Sequence, residues 1–195
     1  MPYPAGHKDK IRAQIVTAAR QEMNRTGYQA ASIDAIMAAA GLTRGGFYAH
    51  FSSKEDLLVE IMKNMQDEPL PLFASQLKAT AAIPDGPCGA RAFIDAYLSP
   101  EHRDRVDQGC SVPPLSPEIE RSGDKVRDAF DDYARDVARK LTVLKGTPTG
   151  EDGIDDSTIG MLALCVGGIV LSRAVKDEGL SDRILAACRN EAKTL

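Results

Sequence analysis

The chain has 195 residues, of which 43% are hydrophobic and 27% charged, with a formal net charge of −4 at pH 7. This is enough chain for one large globular domain, or for a small module joined to a larger one, around a buried core. The segment Met1–Lys10 lacks the apolar stretch of a signal peptide, and the most apolar run, Ile159–Leu171, is well short of the roughly 20 residues that span a bilayer. We therefore expect a cytoplasmic protein without membrane contact.

The charge is distributed unevenly. Residues 1–54 carry seven Lys/Arg and three Asp/Glu, a net charge of +4, so the remainder carries −8. A basic segment at the start of an acidic protein predicts that any contact with nucleic acid is confined to the first quarter. The cysteines are scattered, with no CxxC pair and no His/Cys cluster at metal-ligand spacing, so we expect no metal site and no cofactor.

Helical periodicity predicts four helices in the N-terminal third. Their expected ranges are Lys8–Arg25, Ile33–Ala40, Arg44–His50 and Lys54 through Met65. Gly27 and Gly41 end the first two helices, and hydroxyl side chains stand at the N-cap positions of the next three, namely Ser32, Thr43 and Ser53.

The remaining two thirds predict about five longer helices. After a proline break at Asp67–Pro71, the fourth helix is expected to resume through Leu77, and Ala82–Gly89 and Lys145–Gly153 are expected to be loops. Arg103–Pro117 is rich in proline and is predicted to be irregular. The further predicted helices are Ala90–Leu98, Ser116 to about Leu144, Asp155–Val175, and Asp182–Ala192 capped by Ser181. Since no run alternates like a strand, we predict an all-α fold of about nine helices.

Two short helices joined across Gly41 are typical of a helix-turn-helix unit. At 100° per residue, Phe47 and Phe51 fall on one edge of the second short helix, where they can pack on the core. The opposite edge carries Arg44, Gly45 and Tyr48. Small residues let a helix backbone approach a major groove closely, while arginine and tyrosine reach phosphates or base edges.

The segment Gly27–Leu58 resembles the DNA-binding domain of TetR-family transcriptional repressors. The agreement covers some 50 N-terminal residues and includes Ala40-Gly41, Phe47-Tyr48, His50-Phe51 and Ser53-Lys54-Glu55. The resemblance implies a homodimer that places its third helix in each half of a palindromic double-stranded DNA operator, and that a small molecule releases. It also implies a helix-turn-helix domain at 1–53 and a ligand-binding and dimerisation domain at 54–195.

The resemblance implies site residues as well. Those at positions that commonly contact DNA in the family are Ser32, Thr43, Arg44, Gly45, Tyr48, His50 and Lys54. The last two predicted helices resemble the family's dimerisation pair, and Gly160, Gly167 and Gly168 would allow close helix approach there. Core-facing side chains form the pocket walls in this fold, and the candidates are Phe93, Tyr97, Cys110, Phe130, Tyr133, Val137, Met161 and Cys165.

Two alternatives stay open at this point. Cys110 follows a glycine and lies near Arg103 and Arg105, which favour a thiolate, although Asp104 and Asp107 oppose it; a redox or electrophile sensor on the same scaffold is therefore possible. The second alternative is a helical ligand carrier or enzyme whose DNA binding has lapsed. No Ser/His/Asp or Cys/His arrangement is visible, so we expect a protein that is not an enzyme.

Overall fold

The computed structural model describes residues 6–67, 87–147 and 150–195. These ranges contain ten α-helices and no strand, which confirms the all-α prediction. The helices are α1 His7–Thr26, α2 Ile33–Ala39, α3 Arg44–Phe47, α4 Lys54–Asp67, α5 Pro87–Tyr97, α6 Pro100–Asp104, α7 Val112–Ile119, α8 Asp124–Lys145, α9 Asp156–Ala174 and α10 Glu178–Ala192. The expected continuation of α4 through Leu77, and most of the expected loop Ala82–Gly89, lie outside the described residues.

Local signals account for the ends of the first four helices. Gly27 ends α1 with a φ of 88°, a conformation that glycine adopts without strain. The Ser32 hydroxyl accepts a hydrogen bond from the Ala35 N–H at 3.1 Å, as an N-cap side chain does. Ser53 accepts from the Asp56 N–H at 3.0 Å in the same way. Thr43 occupies the N-cap position of α3, but its side chain makes no capping hydrogen bond, contrary to expectation.

Helix α3 is shorter than predicted. It ends at Phe47, and the chain continues in tighter turns in which the N–H groups of Ala49 and His50 donate to Gly46 O and Phe47 O, three residues back. Phe47 and Phe51 are buried as expected, with ring centroids 5.7 Å apart. Aromatic packing on the core, rather than helix length, therefore holds this segment in place.

The prediction for Arg103–Pro117 is wrong, because this segment contains part of α6 and most of α7. The prolines at positions 113 and 114 fall in the first turn of α7, where a helix makes no use of their missing N–H groups. The long helix predicted from Ser116 is divided at residues 120–123 into α7 and α8. Helix α10 begins earlier than expected, at Glu178, because the Asp177 carboxylate caps it by accepting from the Leu180 N–H.

One continuous core joins the helices. Helix α1 packs against α2, α4 and α7, and α4 lies along α8. Helix α9 packs against α10, α8 and α7, and α5 packs on α8. Since α4 contacts both α1 and α8, it connects the three N-terminal helices to the rest of the molecule.

Helix α9 is long and apolar enough, by length and composition, to cross a membrane. A single such helix is weak evidence for a span, since a core helix of a soluble protein passes the same test. A third of its most apolar window is buried inside the chain. Several large apolar side chains of α9 remain exposed on its other side.

Gly168 is required by packing inside the chain. A Cβ atom there would lie 2.7 Å from Leu98 Cδ2 and 3.0 Å from Cys188 Cβ. Real Cβ atoms are almost never that close to a neighbour. By contrast, a Cβ at Gly167 would meet nothing within 4 Å.

We predict that Gly168→Ala lowers the free energy of unfolding by about 1–3 kcal/mol, the usual penalty for overpacking a filled core. Gly179→Ala is the matched control, since Gly179 lies in the first turn of α10 with its nearest neighbour, Asp177 Oδ1, at an ordinary 3.4 Å. That control should be neutral or slightly stabilising. Urea unfolding measures both, and equal effects at the two positions would contradict the packing explanation.

Candidate nucleic-acid interface and ligand cavity

The outer side of α3 is exposed, as predicted. Ser32, Thr43, Arg44 and Gly45 are exposed, and 58% of Tyr48 is accessible to solvent. The structure thus brings five of the seven predicted DNA-contacting residues to the accessible surface of the α2–α3 unit. His50 and Lys54 are partly buried.

The Arg44 guanidinium is paired in the free protein. Its Nη1 lies 2.6 Å from Asp34 Oδ2, and both side chains are about 60% exposed. An ion pair in such a position contributes at most about 1 kcal/mol. A phosphate or a base edge can therefore displace Asp34 at little cost.

The fold itself does not need the two adjacent glycines of α3. Neither glycine has a positive φ, the backbone conformation that would require glycine. A Cβ at Gly45 would meet nothing within 4 Å, and one at Gly46 would make ordinary contact with Met37 Cε at 3.6 Å. Because glycine costs a helix about 1 kcal/mol relative to alanine, the open position of Gly45 is explained better by a close approach from outside.

Lys54, predicted to contact DNA, is bound within the free protein. Its ammonium donates to three backbone carbonyls of the α1–α2 turn: Tyr28 O at 2.7 Å, Ala31 O at 3.2 Å and Gln29 O at 3.3 Å. It also lies 4.4 Å from the centre of the Tyr28 ring. Its three N–H donors are thus occupied within the protein, and burial lowers the pKa of Lys54. The side chain positions the turn.

Arg12, which the sequence pattern did not single out, fixes the end of the α3 segment from α1. Its guanidinium donates to His50 O, pairs with Glu60 at 3.1 Å and lies 4.2 Å from the centre of the Phe51 ring. Burial and the charges of Lys8 and Arg12 lower the pKa of His50. His50 therefore carries less positive charge than an exposed histidine at neutral pH.

A cavity of about 260 Å³ lies between α5, α8 and α9. Six of the predicted pocket residues line it: Phe93, Tyr97, Cys110, Phe130, Tyr133 and Val137. The remaining lining residues are Val112, Ala134, Ile159, Leu162, Ala163 and Val166. The other two predicted pocket residues, Met161 and Cys165, are buried in the core and are not among the lining residues.

Cys110 is a buried wall residue with a protonated thiol. Burial raises its pKa, although the hydroxyls of Tyr97 and Tyr133 and the charge of Arg20 partly oppose that rise. The Arg103 guanidinium, expected to favour a thiolate, instead pairs with Asp104 and Asp182. This environment disfavours the thiolate that a sensor cysteine requires.

His102, for which the sequence offered no partner motif, is fully buried behind the same wall. Its Nε2 accepts from the Cys110 N–H at 3.1 Å, so Nδ1 carries the proton and donates to Tyr97 O at 2.6 Å. Both ring nitrogens of the neutral imidazole are thereby satisfied. Burial, and to a lesser degree the Arg173 charge, lowers the pKa of His102 to about 4. Among the described residues, no three metal-ligating side chains cluster.

Comparison with known proteins identifies this arrangement. Residues 15–61 match the family described as bacterial regulatory proteins, tetR family. The N-terminal segment that contains α2 and α3 is thus similar to this family. The chain is 36% identical over 64 residues to YfiR, an HTH-type transcriptional regulator of Bacillus subtilis, and 30% identical over 91 residues to FasR, a transcriptional activator of Mycolicibacterium smegmatis. Those matches cover 33% and 47% of this chain, and 31% and 40% of the relatives' own lengths.

The likeness in fold extends over nearly the whole chain. The structure of Escherichia coli NemR in its reduced form aligns with a TM-score of 0.72 at 17% identity, covering 95% of this chain and 96% of that one. A regulator from Saccharomonospora viridis in complex with choline aligns with a TM-score of 0.65 at 17% identity, covering 93% and 95%. At such identities these structures share the fold.

Glu118 links the cavity side of this protein to the turn that precedes α2. Its carboxylate accepts hydrogen bonds from the Tyr28 and Gln29 N–H groups in the α1–α2 turn. Glu118 lies on α7, whose first residue, Val112, lines the cavity. A second link is Asn24 on α1, which donates to Gly109 O at 3.1 Å. About 90 residues separate Glu118 from Tyr28, so no local sequence pattern could have shown their contact.

The pKa of His102 predicts how stability depends on pH. Below about pH 6.5 the unfolded chain takes up a proton on this imidazole, whereas the native protein does so only near pH 4. The free energy of unfolding should therefore fall by about 3 kcal/mol as the pH drops through this window. His102→Gln should be less stable at pH 7 but should lack this component, which urea unfolding at pH 7, 6, 5 and 4.5 measures.

The pKa of His50 is also lowered, so the difference between wild type and His102→Gln isolates His102. Identical pH slopes in the two proteins would contradict the neutral, buried imidazole.

Proposed function

We propose that this protein is a TetR-family transcriptional repressor that binds a palindromic operator as a homodimer and is released by a small molecule. The observation that carries the proposal is the outer side of α3, where two glycines that the fold does not need adjoin an exposed arginine and tyrosine. The surface belongs to the basic part of an acidic chain, which favours a polyanion as partner. Residues 1–53 bind DNA, and residues 54–195 bind the ligand and form the dimer, in the cytoplasm.

Each exposed residue has a proposed part in DNA binding. Arg44 leaves Asp34 for a phosphate or a base edge, and Tyr48 contacts a phosphate. Ser32 and Thr43 donate from their hydroxyls, while Gly45 allows the backbone to approach. His50 contacts DNA through its neutral imidazole. Lys54 acts by holding the α1–α2 turn, and hence α2 and α3, in register.

Dimerisation is supported by apolar surface on the last two helices and the chain end. Ile159, Val170, Leu171, Leu180 and Leu195 are each between 41% and 56% exposed. A second copy packed on this surface would remove these side chains from water. A two-fold dimer presents two α3 helices, which matches the symmetry of a palindromic site.

Repression requires no contact with another protein, because a protein bound to the operator blocks other proteins from the same DNA. The FasR relative is an activator, so the same type of domain also serves the opposite sign of regulation. The small molecule occupies the cavity between α5, α8 and α9. The choline complex of the Saccharomonospora neighbour is support from a protein of the same fold.

Gly45→Ala and Gly46→Ala form a matched pair that tests the DNA surface. Both should slightly stabilise the free protein, since alanine favours a helix and neither Cβ meets a clash. Only Gly45→Ala adds a methyl group to the proposed contact surface, and it should weaken binding about tenfold or more. Gel retardation with the DNA upstream of the protein's own gene measures this, together with stability by urea unfolding.

Wild-type binding to this DNA should also fall steeply between 50 and 200 mM salt, because phosphate contacts release counterions. Arg44→Ala should reduce that salt dependence. Equal effects of the two alanine substitutions, or binding that does not respond to salt, would contradict the proposed surface.

Release is proposed to act through α7. A ligand that displaces Val112 at the start of this helix moves Glu118, which is six residues, or about 9 Å, further along the axis. This movement shifts or breaks the hydrogen bonds that the Glu118 carboxylate accepts from the N–H groups of Tyr28 and Gln29. Because this turn leads directly into α2, the spacing of the two α3 helices in the dimer changes.

A double-mutant cycle tests this connection. Ala134→Phe places a ring in the cavity and mimics a bound ligand, so it should weaken operator binding. In a Glu118→Ala background the same substitution should have a clearly smaller effect, because the connecting carboxylate is gone. Glu120→Ala is the control, since this neighbour is exposed and its carboxylate forms no hydrogen bond or ion pair with α1 among the described residues. Additive effects of Ala134→Phe and Glu118→Ala on operator affinity would contradict the proposed route.

A further inference from the structure

None of the described residues that line the cavity has a charged side chain. Four aromatic rings, seven aliphatic side chains and one thiol form the wall. Transferring an ion into such surroundings is strongly unfavourable unless an opposite charge pairs with it. The wall therefore selects against any ligand that carries a formal charge.

One polar group on this wall has no strong hydrogen-bond partner. Tyr97 is 2% exposed, and its hydroxyl makes no hydrogen bond with a described nitrogen or oxygen atom. The neighbouring Cys110 thiol is at best a weak partner. A buried hydroxyl without a strong partner is destabilising, so a ligand group that accepts a hydrogen bond from it binds more tightly.

We infer that the effector is an uncharged, largely apolar molecule with a single hydrogen-bond acceptor, such as a carbonyl or ether oxygen, that pairs with the Tyr97 hydroxyl. This inference rests on the proposed function, since it names the chemical class of the small molecule that releases the DNA. It is carried by the wall chemistry together with the hydroxyl that has no strong partner.

The volume limits the size of this effector. An apolar cavity of about 150 Å³ holds a benzene molecule, so 260 Å³ accommodates about ten non-hydrogen atoms. A fused bicyclic ketone or a branched alkylbenzene has this size. Larger ligands would require the wall to move.

Aromatic rings also bind quaternary ammonium groups, so the four rings require a comparison with that class. Phe93 and Tyr97 lie 5.5 Å apart, and Phe130 and Tyr133 lie 6.4 Å apart. The charges that act on Cys110 are, however, the guanidiniums of Arg20 and Arg173, both positive. Without a carboxylate on the wall, this potential disfavours a cation.

Two matched pairs of probes test the class on the protein without DNA, by thermal shift and calorimetry. Tert-butylbenzene and phenyltrimethylammonium have the same shape and differ by one charge; the first should bind and the second should not. Indane and 1-indanone differ by the carbonyl oxygen, and the ketone should bind about fivefold more tightly through Tyr97. Indane-2-carboxylate should not bind.

Variants locate the binding. Tyr97→Phe should reduce the affinity for 1-indanone to that for indane and leave indane unchanged, whereas Tyr48→Phe should alter neither. Ala134→Phe should abolish binding of both by filling the cavity. Preferred binding of either charged probe, no binding of 1-indanone, or an unchanged preference for the ketone in Tyr97→Phe overturns the inference.

Failure of this inference is distinguishable from failure of the proposed function. Gel retardation of the operator is measured separately with and without 1-indanone. Binding of the ketone that leaves a retarded DNA complex intact contradicts the release mechanism but supports the ligand class. Release of DNA by phenyltrimethylammonium instead supports the regulatory function and overturns the class.

Discussion

The turn between α1 and α2 is held by two side chains of opposite charge, and the placement of α3 depends on them. The Lys54 ammonium binds the carbonyls of Tyr28, Gln29 and Ala31, while the Glu118 carboxylate binds the N–H groups of Tyr28 and Gln29. A four-residue helix with two glycines cannot hold its own orientation. Its position is therefore set by the turn that precedes α2 and by the two buried phenylalanines.

This arrangement makes the proposed DNA-contacting surface dependent on distant parts of the chain. Lys54 starts α4, and Glu118 is near the end of α7, whose opposite end forms part of the cavity wall. The turn is thus hydrogen-bonded both to α7, which reaches the cavity, and to α4, which follows α3. A carboxylate that accepts from backbone N–H groups holds its partner through charge-assisted bonds, so a small displacement of α7 has a definite effect on the turn.

The sequence predicted the N-terminal helices to within a few residues because capping hydroxyls, glycines and apolar periodicity are local signals. It failed between Arg103 and Pro117 because prolines were interpreted as helix breakers, although a first turn accommodates them. The sequence could not show that Lys54 holds the α1–α2 turn, since the carbonyls that bind it lie 23–26 residues earlier in the chain. Six cavity residues were predicted as core-facing side chains, but a void between helices leaves no trace in periodicity, so Val112 and Ile159 were missed.

An uncharged cavity has a consequence for how a signal reaches such a regulator. A molecule that enters an apolar cavity without an ionic partner must lose its hydration at a small cost in free energy. The hydrocarbon core of a bilayer sets the same condition. We therefore expect the proposed effectors to cross lipid membranes by diffusion, without a dedicated transporter. For the proposed cytoplasmic protein, their concentration would then follow that outside the cell.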